Sequence, residues 1–171
     1  FGRSLGKMAL GLKLFGRDGG RPSLPNSLLR AGIWSLVFEW PSLVQFATAS
    51  AVYLLQVQQQ ELFAATREIL SAETIIKVGV SVTDDMRNLK KLFAFDERSV
   101  VDLGQVAQRH GLKQTGVRNL AGIFLGARIP KGAKTTNWAA RRLTPQQIAY
   151  AATDAWVCRE LYLRFRELKM V

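Results

Sequence analysis

Apolar positions recur along this chain in two periods, and the switch between them marks its elements. Residues 33–38, 43–48 and 51–57 are short runs rich in β-branched, aromatic and leucine side chains. Runs of this length read as strands, the second and third joined by the polar turn Ala49-Ser50. Over residues 58–70 the period lengthens, placing Leu62, Phe63, Thr66, Ile69 and Leu70 on one face of an expected helix. Residues 75–82 form a fourth strand and residues 99–102 a short further one. Helices are predicted over residues 84–93, 102–109, 115–125 and 145–168. The last opens on a capping box, with Thr144 and Gln147 exchanging hydrogen bonds and Pro145 at the first helical position. Strands first and alternation afterwards predict an α/β domain over residues 33–171, a mixed sheet flanked by helices.

Asp154 interrupts this pattern. Ile148, Ala151, Ala152, Ala155 and Val157 surround it in sequence, and burying an ionised carboxylate among them costs several kcal/mol unless a metal or cation compensates. Tyr150 lies one turn earlier on the same face. The pair reads either as a metal ligand beside a water-positioning hydroxyl, or as a solvated Asp with Tyr150 in the core. Asp84 and Asp85 follow the strand over residues 75–82, at its carboxyl end, where open α/β sheets bind ligands. The plainer reading is helix capping, expected of at least one of Thr83, Asp84 and Asp85.

Both stretches resemble motifs of the DEDD 3′-5′ exonucleases, in the Tyr-x-x-x-Asp subgroup that includes RNase D and Werner-type domains. The Lys77-Val-Gly-Val80 strand leads to Asp85, Asn137-Trp138-Ala-Ala-Arg141-Arg142-Leu143-Thr144 resembles the approach to the last helix with Arg142 in place of the usual proline, and Tyr150 to Asp154 matches the last motif. The similarity covers residues 39–168. It implies an RNase H-like fold, catalytic residues Glu39, Asp85, Tyr150 and Asp154, and Mg²⁺ or Mn²⁺ held by Glu39, Asp85 and Asp154. The implied substrate is single-stranded or 3′-ended nucleic acid.

The first motif departs from the pattern. The family's Asp-x-Glu aligns with Val37-Phe38-Glu39, so Val37 stands where an Asp is expected. Two-metal hydrolysis uses ions roughly 4 Å apart, and the resemblance gives that Asp contacts with both. Valine offers hard cations no oxygen. The fold is expected to survive and the activity to be impaired, with a catalytically inactive nucleic-acid-binding module as the alternative. Before the last helix, Lys131, Lys134, Arg141 and Arg142 surround Asn137 and Trp138. Here Trp138 either stacks on a base or closes the core, and Arg141 is expected to meet phosphate.

Charge extends this picture. The chain has 171 residues and a net charge of +11, which favours phosphate backbones or an anionic membrane surface. Residues 1–38 hold six Lys/Arg against one Asp, net +5. Within them Gly6-Lys7, Gly11-Leu12, Asp18-Gly-Gly-Arg-Pro-Ser23 and Leu28-Leu-Arg30 resemble a fragment of the RDD membrane-protein family, over residues 2–36. The apolar run over residues 31–38 falls far short of the roughly 20 residues a membrane span needs, so a membrane role is not expected. Residues 1–32 are expected as a basic segment, either a hairpin packed on the sheet edge or a loose tail, joined to the remainder as a natural fusion or a mis-joined coding sequence. Lys7 and Lys13 interrupt any signal-peptide pattern. The single Cys158 permits no internal disulfide and fits a reducing intracellular compartment, cytoplasm or nucleus, with a buried helical role. His110 before Gly111 reads as a helix stop. Gly116, Gly122 and Gly126 lack the Lys-Ser/Thr of a phosphate loop.

Overall fold

A computed structural model describes residues 11–15, 33–38, 43–47, 51–56, 60–130, 137, 138, 140 and 142–171. Six strands form one sheet: β1 (Gly11–Phe15), β2 (Ile33–Phe38), β3 (Leu43–Ala47), β4 (Ala51–Gln56), β5 (Ile76–Gly79) and β6 (Val100–Asp102). Their order across the sheet is β1-β4-β3-β2-β5-β6. The pairs β2–β3 and β3–β4 are antiparallel, whereas β1–β4, β2–β5 and β5–β6 are parallel. The sheet is mixed, as the order of elements predicts.

Five helices are described: α1 (Gln60–Ser71), α2 (Val82–Leu89), α3 (Leu103–Arg109), α4 (Val117–Leu125) and α5 (Pro145–Glu167). Alternation along β3 and β4 explains why both faces of the sheet are covered. Val44, Tyr53 and Leu55 join Ile69 and Leu70 of α1 and Met86 and Leu89 of α2. Leu43, Ala47, Val52 and Leu54 turn the other way, against Trp138 and Ala151, Ala152 and Ala155 of α5. The apolar side of α5 continues through Val157, Cys158, Leu161 and Phe165 to α3 and α4.

Several boundaries differ from the sequence pattern. The strand predicted to reach residue 82 stops at Gly79, because Ser81 takes a left-handed conformation (φ 60°) and α2 begins at Val82. The helix expected to reach residue 93 ends at Leu89, whose carbonyl accepts from the N–H groups of Leu92 and Phe93 in a tight closing turn. Gly116 occupies the N-cap of α4, which begins at Val117, two residues after the expected start. β1 pairs in parallel with the distant β4 and stands at the edge of the sheet among the described residues. The Gly19-Gly20 turn and the rest of the RDD-like fragment outside β1 and β2 lie beyond the described residues. Among the described residues no helix is long and apolar enough to cross a membrane.

Candidate active site

The parallel pairing of β2 with β5 brings two carboxyl ends side by side. Ser35 pairs with Val78, so Val37 and Phe38 run alongside the segment that turns into α2. That turn delivers Asp84 and Asp85 to the first turn of the helix. The expected capping does not occur. Ser81 is the N-cap residue without a side-chain cap, and the N–H of Asp84 donates to the Ser81 carbonyl at 3.2 Å. The left-handed Ser81 and a hydroxyl engaged elsewhere leave none of Thr83, Asp84 and Asp85 in capping position. Thr83 donates instead to Asp102 Oδ2 at 3.5 Å.

The two aspartates differ in environment. Asp84 is exposed and pairs with Arg87 at 2.9 Å. Asp85 is half-buried. Burial, then the charges of Asp84 and Asp102, push its carboxyl up to about 7. A carboxyl raised by neighbouring acids sits in a negative potential that a cation relieves.

The opposite component is α5, which packs along β2, β3 and β4. Thr144 and Gln147 form the predicted capping box, at 3.2 Å and 2.8 Å, and Gln147 Nε2 donates to the Asn137 carbonyl at 3.1 Å. The loop before the helix is thereby tied to its first turn. Asp154 is 3% exposed, which excludes the solvated reading of that residue. Tyr150 is half-buried, its ring 6.1 Å from that of Trp138. Trp138 is 2% exposed and belongs to the core. The base-stacking reading of Trp138 is therefore corrected: the sheet and α5 already cover the ring. Asn137 is exposed, while Arg141 and Glu39 lie outside the described residues.

Val37 pairs in register with Gln45. Gln45 is fully buried, and neither of its side-chain amide atoms has a hydrogen-bond partner among the described residues. Among the described residues no three His, Cys, Asp or Glu side chains gather closely enough to hold a metal. The carboxylates of Asp85 and Asp154 are hard oxygen donors of the kind Mg²⁺ and Mn²⁺ prefer, and the raised carboxyl of Asp85 fits a cation-binding position. His110 caps α3 through a 3.0 Å contact from Nδ1 to the Val106 carbonyl, before Gly111 at φ +85°, and Cys158 is buried. Both follow their sequence readings.

One profile decides the relationship: that of 3′-5′ exonuclease domains matches residues 40–168. The chain belongs to the 3′-5′ exonuclease family. Ribonuclease D of Haemophilus influenzae is 31% identical over 131 residues, covering 75% of this exonuclease chain and 32% of that protein. Exonuclease 3′-5′ domain-containing protein 2 of Homo sapiens is 32% identical over 135 residues, covering 71% and 22%. This exonuclease chain thus spans a third or less of either relative. The crystal structure of Escherichia coli RNase D superposes with a TM-score of 0.80 at 18% identity, covering 95% of this chain and 47% of that one. That likeness establishes an RNase H-like exonuclease fold. The family is divalent-metal dependent.

The sequence pattern places Asp102 at an element boundary and Ser81 inside the strand expected over residues 75–82, with no role for either in the site. Asp102 accepts from the N–H groups of Gly104, Gln105 and Ser81, linking α3 to the turn that carries Asp85. An Asp between a strand and a helix was the available signal, and it pointed to capping alone.

Proposed function

We propose that this exonuclease domain hydrolyses nucleic acid from 3′ ends, with Mg²⁺ or Mn²⁺ held by Glu39, Asp85 and Asp154. Its activity is weakened because Val37 stands where the family carries Asp. The observation that supports this most is a buried Asp154 on a helix packed along β2, together with Asp85 at the adjoining carboxyl end of β5. When bound, divalent cations supply charge stabilisation and a more acidic water. Asp85 and Asp154 contribute oxygen donors and negative charge, Tyr150 orients the attacking water from one turn before Asp154, and Arg141 and Asn137 meet the strand's phosphates. The buried surroundings of Asp154 limit competing water.

A second reading, a non-catalytic nucleic-acid-binding module, is favoured by Val37 alone. A 5′-labelled single-stranded oligonucleotide incubated with Mn²⁺ separates the two. Slow, stepwise shortening from the 3′ end, lost in Asp154→Asn, supports hydrolysis. Binding with no shortening at any Mn²⁺ or Mg²⁺ concentration supports the second reading.

A further inference from the structure

The turn that launches α2 is held from outside. Its N-cap, Ser81, is a non-glycine residue at φ 60°, ψ 26° and offers no side-chain cap. Such a conformation persists only where surrounding contacts enforce it. Those contacts come from Asp102, at the end of β6, opposite Gly79 in register. Its Oδ1 accepts from the N–H groups of Ser81 at 3.2 Å, Gly104 at 3.0 Å and Gln105 at 3.3 Å. Its Oδ2 accepts from the Thr83 hydroxyl at 3.5 Å, and Thr83 Oγ1 accepts from Gln105 Nε2 at 3.3 Å. A Cβ at Gly104 would lie 3.2 Å from Oδ1, so glycine gives the carboxylate room.

One side chain therefore caps α3 and clamps the first residues of α2, two positions before Asp85. We propose that Asp102 is a positioning residue for Asp85, fixing through Ser81 and Thr83 the place where that carboxylate meets a divalent cation. This rests on the reading of Asp85 as a ligand.

Serine caps helices about as well as aspartate but is too short to bridge to Thr83. Asp102→Ser in the full chain thus isolates the clamp from the cap. Mn²⁺ affinity, read from the electron paramagnetic resonance of free Mn²⁺, is expected to fall at least about tenfold, as for residues that orient metal ligands. Asp102→Asn, which keeps an acceptor oxygen, is expected to bind within about threefold of the parent, as the conservative member of that comparison. Adding Ser81→Gly to Asp102→Ser is expected to restore most of the affinity, because glycine adopts the left-handed turn unaided. Thr83→Val leaves Asp102 and the α3 cap in place and is expected to weaken Mn²⁺ binding severalfold, so the test does not depend on Asp102→Ser folding. Ile69→Ala, a remote core change, is expected to lower stability while leaving Mn²⁺ affinity unchanged.

If Asp85→Ala weakens Mn²⁺ binding but folded Asp102→Ser and Thr83→Val bind like the parent, the positioning role is overturned. An affinity loss in Asp102→Ser that Ser81→Gly does not recover also overturns it. If Asp85→Ala itself leaves Mn²⁺ binding unchanged, the ligand reading beneath the proposal fails instead.

Discussion

Asp85 follows the carboxyl end of β5 and Asp154 lies buried on α5, and their surroundings give the two carboxylates different consequences. Asp85 is raised from 3.8 to about 7 by burial and by Asp84 and Asp102. The folded protein therefore retains a proton that the unfolded chain has already released. This group's contribution to stability is complete below about pH 4 and is lost as pH rises through about 7. Urea unfolding without divalent cations should show Asp85→Asn gaining stability relative to the parent across that interval. A parent-to-variant difference that stays flat with pH would contradict the raised carboxyl. Lys77 carries the opposite sign: buried, with Nζ donating to the Ala72 carbonyl at 2.7 Å, its amine is lowered to about 8 by burial. Asp154 was legible because its sequence neighbours are apolar. The reach of Asp102 was not, because its partners Ser81 and Thr83 lie 21 and 19 residues away.

Among the elements, β3, β4 and α5 were the most legible, for a physical reason. Both faces of the sheet are buried, so β4 reads as an apolar run up to Gln56 and β3 as one broken only by Gln45, and α5 announces its start through Thr144, Pro145 and Gln147. The parallel pairing of β1 with β4 was not legible, since local alternation does not specify which distant edge a strand joins. The αL turn at Ser81 was equally hidden, because a non-glycine residue there depends on tertiary hydrogen bonds. The cap of α5 gives a direct check. Thr144→Ala removes the acceptor for the Gln147 N–H and should cost about 1 kcal/mol of stability. The same change loosens the tie through Gln147 to Asn137, so protection of the 137–147 backbone against hydrogen exchange should fall more than that of the α5 centre. Equal protection in both segments would mean that the cap does not anchor the loop.

At the scale of the whole molecule, the proposed function draws its partner from the net charge of +11 and its slow rate from Val37. Binding to single-stranded nucleic acid should weaken steeply with salt and vary little with sequence, since lysine and arginine neutralise phosphates rather than read bases. Because β1 belongs to the sheet, the basic segment is better tested by changing Arg3, Lys7, Arg17, Arg21 and Arg30 to Gln than by deletion. The salt dependence should become shallower while binding persists at low salt; an unchanged slope would remove those residues from the contact surface.

The deciding measurement is metal-dependent digestion by Val37→Asp. The register pairs position 37 with the buried Gln45, on a strand whose carboxyl end adjoins the segment leading to Asp85. An acid at position 37 would stand two residues before Glu39 and opposite the buried Gln45 amide, restoring the oxygen ligand that hard cations require. Stepwise 3′-5′ shortening of a 5′-labelled oligonucleotide with Mn²⁺ should rise by orders of magnitude over the parent and vanish again in Val37→Asp combined with Asp154→Asn. A folded Val37→Asp protein that neither binds Mn²⁺ more tightly nor shortens the oligonucleotide faster than the parent would contradict the account.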